Sequence, residues 1–276
     1  MKGKKSDRYN IAHCFDEKFF IDSIERVRQN RFCERFADEI VVSGLENLAG
    51  IKETKKVEKE RKRILYASNH KSHIDYVLLA YIIAANNMPI PRIAAGQNLL
   101  IWPLDKIFKF RKFGAFSVDR ANSSYQYLKE FYLYVRKIIA NGENILFFPE
   151  GGRSYDGQLK EPKSGLVGAV LDAVKTEGIK VDVVPIYVDY DKAAESEIFP
   201  LLEKAKNYTL IGKPLYYLLD GYAIGKRYFS AGRNGNAYIR FGCPVDINKL
   251  GRNRKEIADE IMEQIKALKE SAKKLN

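Results

Sequence analysis

The pattern of apolar and polar positions along the chain changes near residue 60. Residues 16–43 carry apolar side chains at helical intervals and are followed by Gly44, so this stretch predicts a helix that ends there. Beyond residue 63, short apolar runs alternate with stretches of helical periodicity. The sequence therefore predicts a helical N-terminal portion over residues 1–60 and a second portion over residues 61–276.

The second portion predicts an alternation of strands and helices. Pro185 lies inside one predicted strand, and because proline donates no backbone hydrogen bond, an edge position or a bulge is expected there. Interleaved strands and helices predict an α/β fold with a mixed, largely parallel sheet flanked by helices. The predicted strands are 64–67, 92–95, 144–148, 181–188 and 237–241; the predicted helices are 76–85, 125–140, 165–176 and a last one with an apolar stripe over 257–268.

Composition adds a strong positive charge to this picture. The 276 residues carry a formal net charge of +12, which favours an anionic partner such as nucleic acid, an acidic membrane surface or a phosphorylated small molecule. The charged run 52–63 is typical of a solvated helix or linker and explains part of the excess. Three dispersed cysteines predict neither disulfides nor a zinc site, and indicate a reducing cytosol.

Two of the three histidines lie in the stretch SNHKSHID, residues 68–75. On one continuous helix, a five-residue step turns about 140°, so His70 and Asp75 would not share a face. If His70 lies on the turn after strand 64–67, Asp75 falls in the next helix's first turn and can reach one imidazole nitrogen. The other nitrogen is then free to act as a general base. On this stretch alone a structural hydrogen bond explains the pair equally well, with His73 orienting the turn and Asn69 capping it.

Two more clusters place an arginine after an apolar run. FPEGGRS, residues 148–154, follows strand 144–148; Gly151 and Gly152 let backbone amides approach an anion, and Arg153 can bind phosphate with two parallel hydrogen bonds. GAFSVDR, residues 114–120, ends in Arg120. Each cluster by itself is also compatible with a plain turn that carries a surface arginine.

Taken together and in this order, these pieces resemble the glycerolipid acyltransferase family. Its signature is NHxxxxD, a block ending in Arg, FPEGxRS and a VPI-type strand, and all four occur between Asn69 and Val188. Four segments are similar to glycerol-3-phosphate and dihydroxyacetone-phosphate acyltransferases, namely 70–81, 93–103, 113–116 and 150–165. Asp119-Arg120 and Phe148-Pro149 are closer to the lysophosphatidate acyltransferases, so the acceptor stays open. Residues 1–60 match no block of the family.

The resemblance implies a function in phospholipid biosynthesis. It implies that His70 takes the proton of an acceptor hydroxyl, which attacks an acyl thioester of coenzyme A or acyl carrier protein, while Asp75 orients His70. The acceptor would be glycerol 3-phosphate, dihydroxyacetone phosphate or lysophosphatidate. No metal or prosthetic group is expected. The residues implied in substrate binding are Arg153 and Arg120 for the phosphate, Lys71 and Lys163 as further candidates, and Gly151 and Gly152 in the same loop; Glu150 would hold the site together.

A lipid-like substrate predicts a cytoplasmic protein that contacts an anionic membrane surface peripherally. Residues 102–113 interleave aromatic and basic side chains, which suits such a surface but also a half-buried helix. The longest nearly apolar run, 76–85, is shorter than the roughly 20 residues that a spanning helix needs. A hydrolase or metal enzyme would need ligands beyond the distant His13. A nucleic-acid-binding protein would need a recognised motif, which is absent, so no nucleic-acid partner is expected.

Overall fold

The computed structural model describes most of the chain. The described residues are 9, 11–51, 62–97, 109–193, 196–198 and 235–273, with the single positions 200, 201, 219, 222 and 226. Most of the charged run 52–63, and residues 102–108 of the stretch predicted to meet a membrane, lie outside them.

Eight described strands form one mixed sheet. They run in the order β1-β7-β6-β2-β5-β3-β4, with β8 also pairing with β6. All neighbouring pairs are parallel except β6–β7 and β6–β8. The predicted mixed, largely parallel sheet is therefore confirmed. The bounds are β1 Ile40–Ser43, β2 Arg63–Ser68, β3 Pro91–Gly96, β4 Ala115–Val118, β5 Asn144–Phe147, β6 Val181–Tyr190, β7 Ala237–Phe241 and β8 Val245–Asp246.

Helices cover both faces of this sheet. On β2, alternate residues point to opposite faces: Leu65 packs into one core and Tyr66 into the other. The first core lies under the helices α3, α4 and α5, and the second under α2. Among the described helices, none is long and apolar enough to cross a membrane. Their bounds are α1 Glu17–Gln29, α2 Asp75–Ala85, α3 Tyr125–Ala140, α4 Gly165–Glu177 and α5 Arg254–Lys273.

The helix predicted over residues 16–43 is wrong beyond Gln29. Helix α1 ends at the cap Asn30, and the β-branched run from Ile40 forms strand β1, which pairs in parallel with β7. Gly44 does not end a helix. It turns the chain after β1 with φ of 79°, and a Cβ there would lie 1.9 Å from the carbonyl oxygen of Phe241. The division of domains at residue 60 stays a prediction, although β1 joins residues 40–43 to the main sheet.

The edge position expected for Pro185 is also wrong. Strand β6 lies inside the sheet, with Pro185 opposite Ala67 of β2. On its other side, β6 pairs with β8 at Asp182 and Val183 and with β7 from Ile186 onward. Pro185 falls in the gap between these two antiparallel partners, where a missing backbone donor breaks no ladder.

An extended segment, residues 11–16, lies beside strand β4. The amide of Ser117 donates to the carbonyl of Ile11 at 2.9 Å. The amide of Cys14 donates to the carbonyl of Arg111 at 3.2 Å. The Ile11 side chain is buried in the core under α3. Backbone hydrogen bonds and apolar packing thus fix this segment against the sheet.

Candidate active site

The candidate site lies where two parallel strands end. β2 and β5 are neighbours, so the turns that follow them leave the sheet at the same edge. The turn after β2 carries His70, and the loop after β5 carries Glu150 and Arg153. The amide of Ser154 donates to the carbonyl of His70 at 2.8 Å, which joins the two segments directly. Ligand sites of open α/β sheets form at this position.

His70 and Asp75 form the predicted hydrogen-bonded pair. His70 lies on the turn and Asp75 is the first residue of helix α2, with 2.8 Å between Nδ1 of His70 and Oδ2 of Asp75. Because a carboxylate only accepts, Nδ1 carries the proton and the other ring nitrogen keeps its lone pair. Asp75 is fully buried and His70 is 9% exposed.

The Asp75 carboxylate collects hydrogen bonds from three directions. Oδ2 also accepts from the amides of Lys71 at 2.7 Å and Ser72 at 3.0 Å, which closes the turn around it. Oδ1 accepts from the hydroxyl of Tyr190 at 2.7 Å. These donors fix the carboxylate in one orientation and stabilise its charge in a buried place.

An aromatic ring covers the imidazole. Phe148 stacks on His70 with 4.2 Å between ring centroids. Burial lowers the pKa of His70 below its ordinary value; the hydrogen bond that the ring donates to Asp75 opposes this, while the charges of His73 and Arg153 add to it. The imidazole is therefore neutral at neutral pH, which is the form that a general base needs.

Glu150 links the two segments of the site. One oxygen accepts from the amide of His70 and the other from the amide of Lys160, each at 2.9 Å. Burial raises the pKa of this carboxyl, and the two amides counteract the rise. Glu150 is 4% exposed and both its oxygens are engaged by backbone, as expected of a residue that holds the site together.

Of the predicted phosphate-binding residues, Arg153 lies near His70, and Arg120 and Lys163 lie beside Gly151 in the same loop. Arg153 is 4% exposed and lies with its guanidinium 5.5 Å from the ring centroid of Tyr155. Gly151 has φ of 69°, and a Cβ there would lie 3.0 Å from Cγ of Lys163 and 3.6 Å from Cδ of Arg120. The absence of a side chain at Gly151 thus lets Arg120 and Lys163 approach the loop. At Gly152 a Cβ would meet nothing within 4 Å.

Lys71 is directed elsewhere. Its ammonium forms an ion pair with Asp189 and lies 3.4 Å from the hydroxyl of Tyr187, which itself donates to Asp189 at 2.8 Å. Burial alone would raise the pKa of Asp189, but Lys71 and Tyr187 hold it below its usual value. The structure therefore places Lys71 in a contact with strand β6 rather than beside Gly151, where Arg120 and Lys163 lie.

Asn69 does not cap the turn as the sequence predicts, and two further residues that support the site, Asp189 and Tyr190, are not evident from the sequence. The side chain of Asn69 donates to the carbonyl of Val188 at 2.9 Å and accepts from its amide at 2.7 Å, so it bonds to β6 beyond the end of β2. Tyr190 and Asp189 come from the end of β6, far along the chain from Asp75 and Lys71. A signal was available for Asn69, which follows a buried strand directly, but not for the other two.

This arrangement suits proton removal from a bound hydroxyl. It combines a neutral imidazole with a fixed tautomer and a cluster of cations for an anionic substrate. No protein nucleophile is bonded to His70 among the described contacts. The described residues also contain no group of three His, Cys, Asp or Glu side chains that could hold a metal ion.

Comparison with known proteins points to one enzyme family. The family model described as Acyltransferase matches residues 39–189. The chain is 34% identical over 241 residues to the glycerol-3-phosphate acyltransferases of Shewanella oneidensis and Shewanella baltica, which covers 83% of this chain and 28% of each relative. The chain thus spans little more than a quarter of the length of these relatives.

A solved structure shares the fold. The 1-acyl-sn-glycerophosphate (LPA) acyltransferase PlsC from Thermotoga maritima superposes with a TM-score of 0.52. The match covers 93% of this chain and 80% of that one, at 22% identity.

Proposed function

The chain belongs to the acyltransferase family, and we propose that it transfers a fatty acyl group from a thioester to the hydroxyl of glycerol 3-phosphate. The buried His70–Asp75 pair, with the arginine-bearing loop 150–154 beside it, carries this proposal. The names of the relatives that are 34% identical support the choice of acceptor.

The chemistry follows from the fixed tautomer of His70. The unprotonated ring nitrogen takes the proton of the acceptor hydroxyl while the hydroxyl oxygen attacks the thioester carbonyl carbon. The carbon–sulfur bond then breaks, and the proton passes to the leaving thiolate. Asp75 stabilises the imidazolium that forms in between. No metal or prosthetic group takes part in these steps.

The phosphate of the acceptor binds beside this base. Arg153 contributes a planar guanidinium close enough to influence His70, and Arg120 and Lys163 contribute positive charge from across Gly151. Lys71 belongs to the same site as a neighbour of the base, through its pair with Asp189 rather than through phosphate.

Lysophosphatidate is the second candidate acceptor. Arg120 follows Asp119, as in the lysophosphatidate acyltransferase pattern, and both candidates present a hydroxyl and a phosphate to the same groups. Dihydroxyacetone phosphate fits the site by the same chemistry. The acyl donor is acyl-coenzyme A or acyl carrier protein. The protein works at an anionic membrane surface from the cytoplasm, and it binds no nucleic acid.

An acceptor comparison tests the function. The purified chain, given one acyl-coenzyme A, is expected to acylate glycerol 3-phosphate faster than lysophosphatidate or dihydroxyacetone phosphate. His70→Ala is expected to abolish the transfer without unfolding the protein, and His73→Ala to be milder. Turnover of His70→Ala within threefold of wild type would show that His70 is not the base. Faster use of lysophosphatidate would reassign the acceptor.

A further inference from the structure

Tyr190 joins the last residue of strand β6 to the base of the proposed reaction. Its hydroxyl lies 2.7 Å from Oδ1 of Asp75, the carboxylate oxygen that faces away from His70. The main chain of Tyr190 is held in the sheet opposite Ala237 of β7, and its amide donates to Asp189 at 2.9 Å. The phenol is thus presented to Asp75 from a rigid element rather than from a loop.

The Asp75 carboxylate needs such a donor because it is fully buried. A buried carboxylate is costly unless both of its oxygens accept hydrogen bonds. Oδ2 receives the ring of His70 and the amides of Lys71 and Ser72. The hydroxyl of Tyr190 does the same for Oδ1 and fixes the rotation of the carboxylate about its last bond.

We propose that Tyr190 acts through Asp75 as a positioning residue that holds His70 in its reactive orientation; this role rests on the acyl transfer proposed above. Tyr190 touches neither the acceptor nor the thioester in this role. Its loss therefore lowers the rate of the chemical step and leaves the binding of both substrates unchanged. With one donor fewer, the Asp75 carboxylate accepts more strongly from the His70 ring, so the protonated imidazole is stabilised and the pKa of His70 rises.

Other charged groups lie near His70 and Asp75, and some of them also influence the pKa of His70. Glu150 lies on the backbone side of His70, and Arg153 and His73 lie near its ring. The Lys71–Asp189 ion pair lies beside Tyr190 along β6. None of these groups is altered when the Tyr190 hydroxyl alone is removed, so the matched change is Tyr190→Phe.

A double-mutant cycle tests the role. Tyr190→Phe is expected to lower kcat about tenfold, near the lower end for a hydrogen bond to a charged group, with both KM values within twofold. In an Asp75→Asn background, the same change is expected to alter kcat by less than twofold. Tyr66→Phe is the control. It also removes one tyrosine hydroxyl, which donates to the carbonyl of Pro89 at 3.2 Å and not to the His70–Asp75 pair. An equal loss in both backgrounds, or no loss in either, would overturn the role.

A second measurement does not depend on activity. NMR titration of the His70 ring, assigned with His70→Ala, is expected to show a higher pKa in Tyr190→Phe than in wild type and no change in Tyr66→Phe. If the wild-type chain transfers no acyl group, the proposed function fails, and this titration still decides whether Tyr190 acts on the pair. An unchanged His70 titration would overturn the coupling.

Discussion

The ring of Phe148 lies nearly parallel to the imidazole of His70, with 24° between the two planes. Phe148 directly follows strand β5 and begins the loop that carries Glu150 and Arg153. The same short segment therefore shields the base from water and supplies the cation beside it. This contact links the pKa of His70 to the packing of a neighbouring strand.

The pH dependence of catalysis should reflect this shielding. Burial lowers the pKa of His70 below 6.5, so the neutral base persists down to that lowered pKa and activity is lost only as pH falls through it. The acid limb of kcat/KM is expected below pH 6.5 in wild type. Phe148→Ala admits water and should move the limb upward, while Phe148→Leu keeps an apolar cover and should move it less. A wild-type limb above 6.5 would contradict the assignment.

Phosphate recognition should depend on the shape of Arg153. A planar guanidinium offers two parallel donors, whereas lysine offers a point charge. Arg153→Lys should raise the KM of the phosphorylated acceptor at least about tenfold, with little change for the thioester. Arg120→Ala should show the same selectivity. Arg136→Lys is the control, because Arg136 of helix α3 pairs with Glu177 of helix α4 at 3.7 Å and belongs to neither arginine cluster of the site. A rise in the thioester KM alone would instead assign the arginine to the acyl carrier.

Lys71 is expected to behave differently from these arginines. Because it pairs with Asp189, Lys71→Met and Asp189→Asn should destabilise the protein, and the double variant should be no worse than either single one. The coupling free energy, measured by urea unfolding, should be about 1 kcal/mol, at the upper end for partly exposed pairs. The acceptor KM should change by less than threefold in both single variants. A tenfold rise of the acceptor KM in Lys71→Met would instead show that Lys71 binds the phosphate.

Gly44 should be intolerant of any side chain. Alanine there would need a positive φ and would push its Cβ into the carbonyl oxygen of Phe241, so Gly44→Ala should lower the free energy of unfolding by more than about 2 kcal/mol. Gly50→Ala is the matched control, since a Cβ at Gly50 would meet nothing within 4 Å. Similar unfolding midpoints for the two variants would show that the turn after β1 relaxes easily.

Membrane binding should be electrostatic in part. Lys109 and Lys112 lie with their ammonium groups 5.6 and 5.5 Å from the ring centroid of Phe19, which places charge beside an aromatic ring at one surface. Co-sedimentation with anionic vesicles should fall with added salt and in Lys109→Glu/Lys112→Glu. Lys255→Glu/Lys266→Glu, on helix α5, changes the net charge equally and should bind as wild type. Equal loss in both double variants would indicate a general charge effect.

The sequence predicted best the elements whose signals are local. Helix α3 has both predicted ends, because its apolar stripe is regular and Ser124 caps it with a side-chain bond to the amide of Tyr127. Strand β1 was missed because four residues carry little periodicity, and its stability comes from pairing with β7 near the other end of the chain. Pro185 was misplaced for a similar reason, since only the paired strands show the gap that accommodates it.

The same division holds inside the site. The bond between His70 and Asp75 followed from their spacing, because a turn and the first residue of a helix lie close in sequence. Lys71, by contrast, is predicted to bind phosphate, and the sequence does not show its partner Asp189, which belongs to another strand. The role of Tyr190 is not evident from the sequence either, because Tyr190 lies on β6, far along the chain from Asp75. Contacts between distant strands decide these roles, and no local pattern records them.

The segment 11–16 has a consequence for how copies of this chain behave toward one another. Strand β4 ends the sheet, and a terminal strand with free amides and carbonyls is a template for pairing with a second molecule. The bond from Ser117 to Ile11 occupies part of that template from within the same chain. Release of segment 11–16, by proteolysis or by a substitution at Ile11, would expose the unpaired backbone amides and carbonyls of β4. Exposed backbone groups of this kind favour β-pairing between molecules, and therefore aggregation.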